Sequence, residues 1–122
     1  ENVWNKFLLS PLEMKTFIDS FQSRWVKAYF DAGNILLTGY PEQWIAILGK
    51  RIQRVHWKDF KRSVGTVEGF CDLLEGDLNF KQVLRGLKKI GYDKYITAEM
   101  IPHYPGLIER TGQAMKKIWK VR

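Results

Sequence analysis

Glu1, Asp31, His56 and Glu99 are the side chains of this 122-residue sequence best suited to shared chemistry. Asp31 ends the strand-like run Tyr29-Phe30-Asp31, His56 lies in Arg54-Val55-His56-Trp57, and Glu99 ends Ile96-Thr97-Ala98-Glu99. Glu1 opens the chain. Two carboxylates and an imidazole at the ends of successive strands, with a further carboxylate at the start, make a donor set for a divalent ion such as Mn, Zn, Co or Mg. Mixed oxygen and nitrogen donors do not select sharply among these ions. Singly, each residue also has an ordinary role. Asp31 could close an Asx-turn ahead of Gly33, His56 could be a hydrogen-bonded core histidine, and Glu99 could cap the turn after it. Their recurrence in consecutive units is what points to an ion.

Other candidates carry less. Arg62, just past His56, could hold an oxyanion or a substrate hydroxyl, or be a solvated loop arginine. Lys58 and Asp59 either point into the same mouth or pair with each other. His103 reads as a surface loop residue. No glycine-rich phosphate loop occurs, and Glu75-Gly76-Asp77 suits a turn. No serine or cysteine stands in a nucleophile setting.

The elements that must position these groups can be read from pattern. Ser10-Pro11-Leu12-Glu13 joins a serine N-cap, a proline at the first helical position and a glutamate three residues after the cap. Met14, Phe17, Ile18 and Phe21 continue at helical spacing, which predicts a helix to about residue 23. Residues 26–31 read as a strand ended by Ala32-Gly33-Asn34. Pro41-Glu42 opens a second helix with Gly49 as its C-cap. Residues 51–60 hold a central strand, and residues 61–79 form a long segment expected to be functional or to carry short helices. Phe80, Val83, Leu84, Leu87 and Ile90 give a third helix closed by Gly91. Residues 95–100 are the next strand, and a last helix runs from Leu107 to about Val121. With residues 1–5 as the end of a first strand, strand and helix alternate four times. That order implies parallel strands joined by right-handed crossovers, with sites at the strands' C-terminal ends.

Composition sets bounds. An apolar content of 45% with five Trp, seven Phe and five Tyr supplies a core for one domain, residues 1–122. The single cysteine, Cys71, excludes an intrachain disulfide and suits a reducing, cytoplasmic setting. No apolar run approaches the ~20 residues that span a membrane. The net charge of +7 resides largely in Lys50-Arg51, Lys88-Lys89, Lys116-Lys117, Lys120 and Arg122, near expected helix ends, where cations complement the helix dipole. It therefore gives no specific nucleic-acid surface.

Taken in order, Glu1-Asn2-Val3-Trp4-Asn5, Tyr29-Phe30-Asp31-Ala32-Gly33-Asn34, Val55-His56-Trp57-Lys58-Asp59, Glu75-Gly76-Asp77-Leu78-Asn79-Phe80 and the run from Gly91-Tyr92-Asp93 to Glu99 resemble the xylose-isomerase-like sugar epimerases and isomerases. These include the ketose 3-epimerases and the sugar-phosphate 3-epimerases and isomerases. The resemblance implies an α/β fold, the C-terminal half of a (β/α)₈ TIM barrel in four parallel βα units. It implies that Glu1, Asp31, His56 and Glu99 are the metal ligands and that Glu1 and Glu99 are the catalytic acid/base pair. Arg62 falls at a substrate-binding arginine. Asn34 stands where some ketose epimerases have a substrate-contacting histidine, which leaves a sugar, a sugar phosphate or another polyol as substrate.

A half barrel would expose two edge strands and an apolar inner face. The expectation is a homo-oligomer, or a chain that needs the missing N-terminal half. Two other functions compete. A barrel endonuclease acting at abasic DNA would want more His and Glu ligands than a chain with two histidines offers. A non-catalytic half-barrel module would keep the residues without turnover.

Overall fold

The computed structural model describes residues 1–120, so the expected helix end at Val121, and Arg122 with it, lie outside the described residues. The order is α1 (Pro11–Ser20), β1 (Ala28–Asp31), a short α2 (Ala32–Ile35), α3 (Pro41–Leu48), β2 (Ile52–Trp57), β3 (Asp59–Phe60), β4 (Phe70–Cys71), α4 (Phe80–Lys89), β5 (Ile96–Ala98) and α5 (Leu107–Lys120). The strands β1, β2 and β5 form a parallel sheet in the order β1-β2-β5. Between them stand α3 and α4, as the alternation requires.

The helix signals act where the sequence puts them. Ser10 Oγ accepts from the Glu13 N–H at 3.2 Å, and Glu13 Oε2 accepts from the Ser10 N–H at 2.8 Å. Two orphan donors of α1 are thereby satisfied. The Asn79 side chain caps α4 by accepting from the Gln82 N–H at 3.0 Å. Gly49 and Gly91 follow α3 and α4 at positive φ, 53° and 73°, where a side chain would be strained. Arg51 grips Asp19 with Nε and a terminal nitrogen at 2.6 and 2.8 Å, tying the end of α3 to α1.

Sheet register separates two faces. Phe30, Val55 and Trp57 are buried in one core with Met14, Ile18, Ile45, Leu48, Val83, Leu87 and Ile118 from the helices. The alternate residues Tyr29, Asp31, Arg54, His56 and Thr97 occupy the opposite face. The expected apolar inner face is therefore corrected: it is polar and carries the chemistry. Among the described residues no helix is long and apolar enough to cross a membrane.

Two strand expectations change. Residues 1–5 form no strand. Asn2 instead donates its amide to the Asp31 carbonyl at 2.8 Å and accepts from the Asp31 N–H at 2.9 Å. A side-chain amide thus does for the edge of β1 what a strand backbone would. The central strand also breaks after Trp57. Asp59 and Phe60 leave the sheet to pair antiparallel with Cys71 and Phe70. The break follows from Asp59, whose buried carboxylate accepts from the N–H groups of Phe60, Leu74, Gly76 and Leu78 at 2.8–3.0 Å. It organises the long segment, and Gly76 is required because a Cβ there would collide with Asp59 itself.

Candidate metal centre

Parallel register brings the candidate ligands together. Asp31 lies directly across from His56, and His56 from Thr97. Two residues on, Glu99 shares the face of Thr97 and is held by its N–H donating to the Trp57 carbonyl at 2.9 Å. Glu1 arrives through Asn2, which is fastened to both backbone groups of Asp31. One ligand atom each from Glu1, Asp31, His56 and Glu99 lies within 4.8 Å of the others. His56 Nδ1 is 3.1 Å from Glu1 Oε1, 3.5 Å from Glu99 Oε2 and 3.9 Å from Asp31 Oδ2. The imidazole packs on the Tyr29 ring, with centroids 4.0 Å apart.

Asp31 tests whether an ion fits. Its Oδ1 caps α2, accepting from the Asn34 N–H at 2.8 Å, so its local role is a helix N-cap and not the Asx-turn expected. Its Oδ2 is fully buried and accepts no hydrogen bond. Its nearest cation is the Lys58 ammonium, at 3.4 Å. A buried carboxylate oxygen without a hydrogen bond is costly, and a divalent ion would satisfy it. Burial pushes the Asp31 carboxyl up to about 6, against the pull of Lys58. Glu99 moves the other way. A hydrogen bond from Lys58, at 2.5 Å, holds its carboxyl below the usual range. The donor set, three carboxylates and one imidazole, suits the ions named above.

The remaining candidates take separate places. Lys58 points into the cluster, whereas Asp59 turns away to the loop, so the two do not pair. Gly33 lets Lys58 approach, since a Cβ there would strike the Lys58 backbone. Asn34 donates its amide to the Asn2 carbonyl at 3.0 Å, and its Oδ1 lies 3.5 Å from Lys58 Nζ. Arg62 is exposed in the turn after β3, where its N–H donates to Asp77 Oδ2 at 2.7 Å. Among the described residues, no hydrogen bond or ion pair joins Arg62 to the four ligands. His103 is exposed in a loop, and burial pushes the Cys71 thiol up to about 11, so neither adds a ligand or nucleophile. Sequence reasoning missed Asn2 as the bracket for Glu1. Its signal was present, because an amide beside a ligand offers both a donor and an acceptor.

The sequence pattern of the xylose isomerase-like TIM barrel family matches residues 1–119. The chain belongs to that family. No curated protein sequence matches it. Solved structures that share its fold include the three that follow. A xylose isomerase domain protein from Planctomyces limnophilus has 21% identity and a TM-score of 0.75 over 93% of this chain and 43% of its own. A D-tagatose 3-epimerase-like protein has 23% identity and a TM-score of 0.75 over 93% of this chain and 42% of its own. The IOLI protein, solved with a zinc atom, has 18% identity and a TM-score of 0.70 over 90% of this chain and 42% of its own. This family member thus spans less than half the length of these structures, as a half-barrel does. Four of the residues singled out in the sequence, Glu1, Asp31, His56 and Glu99, lie together in it.

Proposed function

We propose that this chain carries the ion-binding and proton-transfer half of a metal-dependent epimerase or isomerase acting on a sugar or sugar phosphate. One observation carries the reading: Glu1, Asp31, His56 and Glu99 converge within 4.8 Å at the C-terminal ends of parallel strands, with a buried Asp31 oxygen left without a hydrogen bond. A divalent ion held by these four would stabilise the negative charge that develops when a proton is removed beside a carbonyl. Glu1 and Glu99 are the acid/base pair. One carboxylate takes the proton, the other returns one to the opposite face, and the configuration inverts. An isomerase would use the same two groups to move hydrogen between adjacent carbons. In the ion-free chain Lys58 holds the Glu99 carboxyl below its usual range.

Arg62 is our choice for a substrate oxygen, since among the described residues no ion pair occupies its guanidinium. The Asn34 Oδ1 makes a long contact to Lys58, at 3.5 Å, which a substrate hydroxyl could replace while the Asn34 amide stays on the Asn2 carbonyl. The polar face of the sheet needs a cover to become a pocket. Further βα units or a second copy of the chain would supply it, and the lone cysteine suits a cytoplasmic setting. Light scattering reads the association state directly.

The test is titration with zinc, manganese, cobalt and magnesium, with and without a ketose, on this chain and on Glu99→Gln. Ion binding that weakens in Glu99→Gln supports the reading, and wild-type chain that binds none of the four ions refutes it. Exchange of the ketose α-proton with deuterated solvent then separates an enzyme from a binding module. Ion binding without exchange, even with the rest of the barrel supplied, would favour the non-catalytic role.

A further inference from the structure

We propose that Lys58 is a built-in stand-in for the divalent ion: it holds the ligand carboxylates together when no ion is bound and gives them up when one enters. The inference rests on the ion-binding reading above and adds a competitor to it.

Geometry places the ammonium where the ion's charge is needed. Lys58 follows the last residue of β2, and its ion pairs with Asp31 and Glu99 show that its side chain reaches the same face as His56. The register pairs Trp57 with Ala98, the residues just before Lys58 and Glu99. Its Nζ is 2.5 Å from Glu99 Oε2 and 3.4 Å from Asp31 Oδ2. These are the same two oxygens that approach His56 Nδ1. An ion drawn to that imidazole must therefore take oxygens that the ammonium already holds. Lys58 is no loose surface cation. It is 7% exposed, steadied by Asn34 Oδ1 at 3.5 Å, and sits 5.0 Å from the Phe70 ring centroid.

Charge gives the arrangement a purpose. Three carboxylates gathered around one imidazole repel one another, and Asp31 is out of water. Among the described residues, no other Lys or Arg makes an ion pair with any of the four. One fixed positive charge keeps the cluster assembled, and the same charge opposes a dication at the same oxygens. A lysine with a merely structural role would, when removed, loosen the site and weaken ion binding. A stand-in does the reverse: without it the ion-free protein is less stable, yet the ion binds more tightly.

The experiment uses the full chain at pH 8 as wild type, Lys58→Met and Lys58→Gln, with zinc chloride as the probe. Both variants should unfold at lower temperature without zinc. Both should bind zinc at least about tenfold more tightly by calorimetry, and so show a larger zinc-induced rise in Tm. Folded variants that bind zinc as wild type does, or more weakly, overturn the proposal. Should neither variant fold, the lysine side-chain NMR signals of the wild type decide. The Lys58 Cε resonance should shift as zinc saturates the site, and an unmoved resonance with zinc bound overturns the proposal. Zinc bound equally by all three chains removes only the role of Lys58. Zinc bound by none of them removes the ion-binding reading as well.

Discussion

Asp31 and Asp59 are both completely buried, both sit near the ends of β1 and β2, and burial pushes both carboxyls up. Their surroundings differ. Asp59 accepts four backbone N–H groups, two on each oxygen. Asp31 accepts one on Oδ1 and none on Oδ2. A buried carboxylate ringed by backbone donors is finished as a structural part, because nothing more can bind it. One whose oxygen accepts no hydrogen bond, is paired only with the Lys58 ammonium and faces an imidazole and two other carboxylates is built for something that arrives later. The contrast shows how the same residue type at the same depth is assigned to scaffold or to chemistry by counting its hydrogen bonds.

The sharpest way to break this contrast is to replace each with asparagine. Asp59→Asn keeps one acceptor oxygen and turns an NH₂ group toward donors that had an oxygen. Losing charge-assisted bonds in a buried setting should lower stability by about 3 kcal/mol, seen as a Tm drop of roughly 10 °C, with ion affinity little changed. Asp31→Asn should do the opposite. Its remaining oxygen still caps α2, so stability should stay within about 1 kcal/mol, while zinc affinity falls at least about a hundredfold. Calorimetry and thermal unfolding on both variants read the two axes. If the variants behave alike, the hydrogen-bond count does not separate scaffold from site.

A pH effect sharpens the Asp31 half of the comparison. Its carboxyl is raised from an ordinary 3.8 to about 6, so between these values the folded chain binds a proton that the unfolded chain has released. The contribution of Asp31 to the stability of the ion-free protein is fully present below 3.8 and is lost as pH rises through about 6, roughly 3 kcal/mol in all. The stability difference between wild type and Asp31→Asn across that window measures it. Zinc binding carries the mirror image, because below pH 6 a proton competes for the same carboxylate. An equally steep window in Asp31→Asn would assign the effect to another group.

Much of the site was legible because it depends on local signals. Ser10 and Glu13, Pro41, Gly49 and Gly91 each mark a helix end by chemistry within a few residues. The strand tips follow from short apolar runs, and three donors at three tips converge once the strands are parallel, with Glu1 brought beside them by Asn2. What escaped depends on distant segments. The strand expected over residues 51–60 breaks at Lys58 because Asp59 is claimed by N–H groups 15 to 19 residues later, a capture that no window around Asp59 displays. Lys58 was half legible: it stands just past the end of β2, but its partners Glu99 and Asp31 lie on other strands. The inner face was misjudged for the same reason. Its polarity appears only when Tyr29, Arg54 and Thr97 are set side by side across the register.

The first residues supply the mildest test. Residues 1–5 have an apolar, aromatic flavour that reads as strand, yet the segment is held by the Asn2 side chain, by the Asn34 amide on the Asn2 carbonyl and by the Trp4 indole on the Asn34 carbonyl at 2.8 Å. Asn2→Ala removes the two bonds to Asp31 and leaves the other two. Glu1 then loses its fixed approach to His56 but keeps its carboxylate. Zinc affinity should fall about tenfold, well short of the loss in Asp31→Asn, because one ligand is loosened and none is deleted. The Asp31 N–H and carbonyl lose their partners in a buried setting, which should cost about 2 kcal/mol in stability. A drop as large as that of Asp31→Asn would mean that Asn2 holds Asp31 in place as well as Glu1. No drop would mean that Glu1 reaches the ion without its neighbour's help.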